Sequence, residues 1–204
     1  STRNKSEELR NSLLEDSHIT DVAFASNPIG KNDIGVGTFN VENNGKIDPN
    51  FTLANTLKID PNFIPAMHIQ LVKGRNFDAA MPTDSSSVII NSAFAKNQGW
   101  TDALGKRIEF GRDNAGKSIL KSVIGVVSDF HIYSLQHKID PLIMELPASK
   151  IEMDNIYIRM KSTNMSHTIA HINKVYDNYF PDYPLEYTFL DETYNDQYNS
   201  EVRQ

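Results

Sequence analysis

The sequence predicts an α+β fold in which a discontinuous α/β sandwich is interrupted by an inserted, mainly β subdomain. Helix and strand patterns alternate near both ends of the chain, whereas the middle holds short runs of valine and isoleucine between turn residues. The end sections can pair as one sandwich, because each helix or strand must bury its apolar face against another layer. We therefore expect one subdomain over residues 1–74 and 151–204, and an insert with one helix over residues 75–150.

The first section begins with a predicted helix. Ser6 precedes two glutamates, which favour the positive end of a helix dipole, and leucines at 9, 13 and 14 form an apolar stripe. Asp60 and Pro61 are residue types that open a helix. The expected elements are a helix at 6–16, strands at 19–26 and 53–59, loops with at most one short hairpin near 36–41 over 27–51, and a short helix at 62–67.

Turn residues and caps divide the rest of the chain. Asn91 is expected to cap a helix that Gly99 ends, and Ser166 and Asp191 are expected to cap two later helices. Alternating or β-branched runs predict the strands between them. The expected elements are strands at 88–90, 107–110, 121–129 and 142–146 with a helix at 92–98 in the insert, then a strand at 156–160, a helix to 179, a strand at 186–190 and a final helix.

Composition excludes several classes of protein. The 204 residues include no cysteine, which removes thiolate metal sites, cysteine nucleophiles and disulfides. A total of 26 acidic against 20 basic residues gives a net charge of -6, so no nucleic-acid partner is expected. No apolar run approaches the ~18 residues of a membrane helix. Because the chain starts without methionine and stops inside a predicted helix, we expect it to be a segment of a longer protein.

The stretch GRDNAGKS at residues 111–118 matches the phosphate-binding pattern G-x-x-x-x-G-K-[ST]. A working phosphate loop follows a buried strand and opens a helix, but both flanks here have β patterns. The apolar run that begins at Val123 leaves no room after Ser118 for the helix of a βαβ unit. We therefore predict a hairpin with its turn over 113–116, and no nucleotide site.

Two further groups carry residue types used in catalysis or metal binding. Asp129 and His131 share one face of a predicted strand, with Ser128, Ser134 and His137 nearby, as in a hydrolytic triad, but the chain has no Gly-x-Ser-x-Gly elbow. His167 and His171 have a zinc-binding spacing on a predicted helix, but they lack a third ligand and lie opposite its apolar stripe. We expect a buried polar cluster at the first group and no metal at the second.

The final predicted helix carries an apolar stripe of Tyr194, Tyr198 and Val202. This stripe is either a packing face or part of a stalk that carries motion into a following segment. The sequence favours neither alternative.

A set of segments, each weak alone, occurs in a characteristic order along residues 53–204. They are IDPNFIP at 59–65, LVKGRNF at 71–77, SVIIN at 87–91, GW at 99–100, LGK at 104–106, VIGVVSDFH at 123–131, SL at 134–135, IDPLI at 139–143, and the stretch 189–198 with Glu201. Together they resemble the MacB-like periplasmic core domain of ABC transporter permeases of the FtsX/MacB type. Residues 1–52 match that family only in outline.

The resemblance implies a periplasmic domain of an inner-membrane protein, with a discontinuous porter-like subdomain and an inserted, mainly β, Sabre-like subdomain. It implies that a separate cytoplasmic ABC ATPase binds the nucleotide. The domain would pass motion to a substrate or to a periplasmic adaptor or lipoprotein, in efflux, lipoprotein handling or signalling. No catalytic residue, cofactor or metal is implied, and we expect a monomeric isolated domain within a dimeric permease.

The family motif residues are expected to have structural roles. By the resemblance, Gly74 and Arg75 would turn the chain where the subdomains join, and Gly105 would end a loop before a strand. The segment Asp129, Phe130 and His131 would lock the end of the longest strand of the insert.

Two other classes of function stay open at this point. One is a periplasmic ligand-binding or sensor domain that uses the cleft between the subdomains for a small molecule or peptide. The other is a hydrolase that uses Asp129 and His131. A permease predicts membrane spans on both sides of the native chain, a sensor predicts a downstream signalling module, and a secreted hydrolase predicts a signal peptide.

Overall fold

The computed structural model describes residues 2–27, 34–131, 139–148 and 155–190. Its helices are α1 (Thr2–Leu13), α2 (Phe63–Ala66), α3 (Ser92–Asn97) and α4 (Met165–Tyr179), with a 3-10 turn at Pro82–Ser86. Its strands are β1 (Ile19–Ala25), β2 (Gly35–Asn43), β3 (Lys46–Lys58), β4 (Leu71–Gly74), β5 (Ser87–Asn91), β6 (Arg107–Arg112), β7 (Ser118–Val127), β8 (Leu142–Glu145) and β9 (Asn155–Met160). The predicted α+β class is confirmed.

Seven of these strands form a sheet that closes on itself. Hydrogen-bonded neighbours follow the order β4-β7-β5-β8-β3-β2-β6, and β6 also pairs with β7. Strand β7 therefore has β5 along one edge, with β4 and β6 in succession along the other. We call the closed ring of β7, β5, β8, β3, β2 and β6 the barrel. Its interior is apolar and includes Phe94 of α3, which is fully buried.

The second sheet contains the antiparallel strands β1 and β9 and separates two cores. Side chains alternate between the two faces of a strand. Val22 and Phe24 consequently pack with residues of α1 and α4, whereas Ala23 and Ala25 pack with residues of the barrel. We call α1, α4, β1 and β9 the helical layer.

The helical layer and the barrel share one apolar core, which we call the join. It contains Ala23 and Ala25 of β1, Phe63 and Ile64 of α2, and barrel residues that include Leu57, Ile89 and Met144. The end of β1 also bridges to Ile59, just after β3. Backbone hydrogen bonds from Ser26 N to Lys58 O at 2.9 Å and from Asp60 N to Phe24 O at 3.0 Å flank this bridge.

The structure corrects the prediction of loops over residues 27–51. Residues 35–58 form the long hairpin β2–β3, whose turn at Asn44 and Gly45 has positive φ at both positions. The alternating pattern is weak there because the register shifts between Asn40 and Glu42, opposite a stretch that contains Pro49. Residues 28–33 of the predicted loop lie outside the described residues.

Three boundaries near the ends of the chain also differ from prediction. Helix α1 begins at Thr2 rather than at Ser6, and the N-cap of α4 is Asn164 rather than Ser166. The predicted strand at 186–190 is wrong: residues 184–189 form neither helix nor strand and pair with none of the described strands. Asp191 and the stripe of Tyr194, Tyr198 and Val202 lie outside the described residues.

The seven-stranded sheet draws strands from both sides of residue 74. Strands β2 and β3 precede this position, yet β3 pairs with β8 and β2 pairs with β6. The division into residues 1–74 with 151–204 and an insert at 75–150 stays a prediction.

Candidate functional site

Strands β4 and β7 approach each other closely at a pair of glycines. Gly74 has a φ of 73° and lies opposite Gly125. A Cβ atom on Gly74 would stand 2.1 Å from Ile124 O, and one on Gly125 would stand 2.4 Å from Arg75 O. Both positions therefore require glycine, because a side chain would push the two backbones apart.

Arg75 follows this crossing and forms two hydrogen bonds with the carboxylate of Asp84. Its Nη1 donates to Oδ2 at 2.8 Å and its Nη2 donates to Oδ1 at 2.7 Å. Asp84 is fully buried and also accepts the N–H of Asp78 at 2.8 Å. The guanidinium holds the pKa of Asp84 below its ordinary value, and the carboxylate raises the pKa of Arg75. This pair fixes the segment between β4 and β5.

That segment is tied to the join by a neighbouring amide. Asn76 donates from Nδ2 to Pro61 O, just before α2, at 2.8 Å. Gly74 is thus the last residue of β4 and Arg75 follows it, close to the segment that leads into α2. Their role as the turn between two subdomains stays a prediction.

Asp129 lies beyond the end of β7 and caps α3 from outside the helix. Its Oδ1 accepts the N–H of Ala93 at 2.7 Å, while Asn91 Oδ1 accepts the N–H of Phe94 at 2.9 Å. Two of the N–H groups that lack partners at a helix start are thereby satisfied. The Asn91 cap was predicted and is confirmed, whereas Asp129 as a second cap was missed because only the fold brings it to α3.

The expectation of a buried polar cluster is wrong for Asp129, which is exposed because β7 ends at Val127 and residues 129–131 follow it outside the sheet. Phe130 packs, partly buried, against the core of the join, and His131 is half-buried. Ser134 and His137 lie outside the described residues, and the N–H of Ser128 donates to Gln70 O at 2.8 Å. The proposed locking role of residues 129–131 stays a prediction.

Gly105 lies in the loop between α3 and β6. It has a φ of 78°, and its N–H donates to Val123 O at 2.8 Å, two residues before β6 begins. A Cβ atom there would meet nothing within 4 Å, so only the positive φ favours glycine. Its expected place, in a loop before a strand, matches the structure, while its functional role stays a prediction.

Two grooves flank Trp100, the single tryptophan of the chain. The first, about 420 Å³, lies between β4 and α3 and is mainly apolar. The second, about 220 Å³, lies between the β2–β3 hairpin and α3 and is lined mainly by polar side chains. No sequence motif indicated either groove, because their walls come together only when α3 packs on the barrel.

The stretch GRDNAGKS forms the predicted hairpin. Gly111 and Arg112 end β6, and Ser118 begins β7. Between them Gly116 N donates to Asp113 O at 2.9 Å, and Asp113 Oδ1 accepts the N–H groups of Ala115 and Lys117. A turn stabilised by an aspartate thus replaces the helix that a phosphate loop would open.

The expectation that both histidines of α4 face away from the protein is wrong for His171. Its Nε2 lies 3.0 Å from Ser12 O, because α4 packs sideways against α1 on the same sheet. His167 is exposed, with Nδ1 3.6 Å from Asp16 Oδ2. Across residues 2–27, 34–131, 139–148 and 155–190, no group of three or more potential metal-ligating side chains occurs.

Asp16 is a buried carboxylate that the sequence analysis missed. It accepts the backbone N–H of His18 at 2.9 Å, and the ring of His18 lies 3.0 Å from the same oxygen. The backbone hydrogen bond from His18 is the main cause that lowers the pKa of Asp16 to about 2. The carboxylate therefore closes the turn between α1 and β1 in its charged form.

A family model for the MacB-like periplasmic core domain matches residues 6–175. The chain belongs to this family. MacB-like core domains are periplasmic or extracellular parts of ABC transporter permeases, which work with a cytoplasmic ATPase. The resemblance seen in the sequence is thereby confirmed.

Solved structures of three related domains share the fold of this MacB-like domain. The periplasmic region of MacB from Actinobacillus actinomycetemcomitans is 18% identical, with a TM-score of 0.53 over 84% of this chain and 72% of that one. The extracellular domain of the transporter YknZ from Gram-positive bacteria is 14% identical, with a TM-score of 0.54 over 84% and 82%. A domain of a putative permease from Porphyromonas gingivalis is 16% identical, with a TM-score of 0.58 over 91% and 84%.

Two further observations complete the comparison of this MacB-like domain. A search among curated proteins found no significant match. None of the described helices has the length and apolar character needed to cross a membrane.

Proposed function

We propose that this MacB-like domain passes motion from the cytoplasmic ATPase of its permease to a substrate or partner outside the membrane, without catalysing a reaction. The main support for this proposal is the join. One apolar core contains residues of the helical layer and of the barrel, so a displacement of one reaches the other through packed side chains.

Helix α2 packs into the join and connects it to the helical layer. Phe63 is fully buried, and its ring packs edge to face on Tyr157 of β9 with centroids 5.3 Å apart. Arg159 of β9 donates from Nε to Ala66 O at 2.6 Å. Since α2 is thus held to the helical layer while its apolar face lies in the join, we infer that layer and barrel move as one body.

A chain of hydrogen bonds connects α1 to the start of α2. Arg10 of α1 donates from Nη2 to Asn62 Oδ1 at 2.7 Å, and Asn62 Nδ2 donates to Asp60 Oδ2 at 3.0 Å. Asp60 Oδ1 in turn accepts the N–H of Phe24 in β1. A displacement of α1 would therefore be transmitted to both α2 and β1, as required if motion enters the domain through its helices.

The two alternative functions gain less support. The space between helical layer and barrel is filled by the join. The two grooves beside Trp100 do combine residues of the expected 1–74 part with residues of the expected insert, but they lie on the barrel and α3 and not in a cleft between two separately packed bodies. Asp129, the acid of the supposed triad, is engaged in capping α3. We accordingly favour mechanical coupling over a cleft-binding sensor or a hydrolase. The partner would be a periplasmic adaptor or lipoprotein, and the full permease a dimer.

The test uses the full permease with its ATPase in lipid nanodiscs. The chain has no cysteine, so labels can be placed through introduced cysteines at the exposed residues Lys117 of the barrel and Lys174 of α4. Electron-electron resonance would measure the distance between the two labels, and energy transfer to headgroup dyes would measure the height of a label at 117 above the membrane. Both are recorded with a non-hydrolysable ATP analogue and with ADP.

Coupling predicts that the height of residue 117 changes with the nucleotide while the distance between 117 and 174 stays constant. An unchanged height would refute transmission through this domain. A change in the internal distance would show that the join is a hinge, and would favour a domain that closes on a ligand.

A further inference from the structure

The apolar groove between β4 and α3 has the size of a binding site. It has a volume of about 420 Å³, within the range of ~300–1,000 Å³ that ligand sites occupy. Its apolar wall comes from Val72 of β4, Val126 of β7, Ala95 of α3, and Trp100 and Ala103 of the following loop. Tryptophan is enriched among residues that dominate binding energy at protein interfaces.

The charge of this groove is opposite to that of the whole chain. Lys73 of β4 and Lys96 of α3 line it, and no acidic residue does, although the net charge of the chain is -6. Lys73 donates one hydrogen bond to Thr101 O at 3.0 Å, and an ammonium group has three donors. Neither lysine forms an ion pair with any carboxylate in the described part of the chain. The groove therefore attracts an anionic ligand.

One side of the groove is the edge of a sheet. Strand β4 stands at the end of the sheet order, and among the described strands it pairs only with β7. Its residues are all exposed, including the apolar Leu71 at 37% and Val72 at 50%. A strand edge of this kind offers backbone N–H and C=O groups to an incoming extended segment.

We propose that β4 and the adjoining groove bind an extended, acidic segment of a partner protein. One apolar side chain of that segment lies against Trp100, while flanking carboxylates pair with Lys73 and Lys96. The inference deepens the proposed function, on which it rests, by giving the chemistry of the partner that receives the motion.

The same observations disfavour other occupants. A second copy of the chain would add another strand edge that carries a lysine and no carboxylate, so it would not neutralise Lys73 and Lys96. An acyl chain would satisfy the apolar wall, but it has no backbone groups to pair with the edge of β4. A peptide with carboxylates satisfies the wall, the lysines and the edge together.

The test begins with a phage-displayed library of random 12-residue peptides selected on the immobilised chain. The double variant Lys73→Glu, Lys96→Glu is selected in parallel. The matched control is Lys46→Glu, Lys117→Glu, which changes the net charge equally at two exposed positions, each beside a hairpin turn and outside the lining of the groove. The enriched peptides are then synthesised with a fluorescent label, and their affinities are measured by anisotropy without ATPase or nucleotide.

We expect enriched peptides to carry an aliphatic or aromatic residue flanked by aspartate or glutamate. Their affinity should fall about tenfold or more for the Lys73→Glu, Lys96→Glu variant, stay within about twofold for the control variant, and weaken with added salt. Trp100→Phe should also weaken binding, since it keeps an aromatic contact with Phe94 but shortens the wall of the groove. Urea unfolding of each variant checks that it is folded.

Several results would overturn the proposal. These are no enrichment on the wild-type chain, enrichment of peptides without acidic residues, or equal affinities for the groove variant and its control. Binding of vesicles containing phosphatidylglycerol through the two lysines, with no peptide selected, would assign the groove to a lipid surface instead. Because the assay contains no ATPase, its failure leaves the nucleotide-dependent height measurement unaffected, and the two proposals fail separately.

Discussion

Replacement of Gly74 by alanine tests the close crossing of β4 and β7. The position combines a φ of 73° with a predicted Cβ contact of 2.1 Å to Ile124 O. Gly116, in the hairpin turn before β7, has a similar φ of 78° but no atom within 4 Å of a Cβ. The pair of variants therefore separates the effect of steric contact from the effect of backbone conformation.

The expected magnitudes follow from these contacts. An L-residue in the left-handed region costs about 1–2 kcal/mol, partly offset by the smaller entropy of the unfolded chain, so Gly116→Ala should destabilise by about 1 kcal/mol. Gly74→Ala adds overpacking, at about 1–3 kcal/mol, and strain on the hydrogen bond from Arg75 N to Ile124 O, at about 1 kcal/mol. The total for Gly74→Ala is about 3–5 kcal/mol.

The assay is equilibrium urea unfolding followed by the fluorescence of Trp100, the only tryptophan in the chain. Gly125→Ala serves as a third variant, because its Cβ would stand 2.4 Å from Arg75 O without a positive φ. It should be destabilised by an amount between the other two. If Gly74→Ala loses no more stability than Gly116→Ala, the close approach of the two strands is wrong.

Three further predictions concern buried polar groups. Arg75→Ala should lower the free energy of unfolding by about 2–4 kcal/mol at pH 7, because it leaves a buried carboxylate without its cation. Since the pKa of Asp84 is lowered in the folded state, this stabilisation is present above the ordinary pKa of an aspartate and is lost in acid. The penalty measured by urea unfolding should therefore shrink towards pH 3, and a constant penalty would contradict the prediction. Asp129→Ala should lower the free energy of unfolding by about 1 kcal/mol, as for a lost helix cap. Asn91→Ala should lower it by about 2–3 kcal/mol, because Asn91 also accepts the N–H of Leu142 and donates to Asp140 O. Equal losses of stability in urea unfolding would argue against these contacts. The pKa of Asp16, near 2 when folded and 3.8 as the ordinary value, predicts a stabilisation present above about pH 4 and lost as the pH falls towards 2; Asp16→Asn should remove that pH dependence, which acid unfolding monitored by circular dichroism would show.

Local signals in the sequence predicted the parts of the fold that depend on near neighbours. Asn91 and Gly99 bound α3 because a cap and a positive φ act within a few residues. The turn of residues 113–116 was predicted for the same reason. The valine and isoleucine run of β7 indicated a strand, but nothing in it showed that β7 has three partner strands.

Contacts between distant residues could not be predicted in this way. Asp84 follows a proline in a polar turn, where an aspartate ordinarily faces solvent, and only the fold brings Arg75 across to bury it. The apolar groove likewise requires β4, α3 and the loop of Trp100 to meet. His171 was misplaced because helical periodicity identifies the main apolar face but does not show a second helix packed against its side.

The arrangement of these contacts is consistent with the two proposals, a docking site beside β4 and transmission of motion through the domain. Leu57 and Phe63 in the join are fully buried, and displacing either from its packing would leave a cavity costing about 2–5 kcal/mol. The join therefore resists deformation, and closure of the barrel leaves few of its strand edges free. Strand β4 is the exception, because one of its edges is unpaired in the described sheet. Its other edge pairs with β7 at the close contact of Gly74 and Gly125, and the Arg75–Asp84 ion pair follows directly after it. A partner bound there would be held to the rigid barrel without opening its core, so that movement of α1 and α4 would reach the partner with little loss in the domain itself.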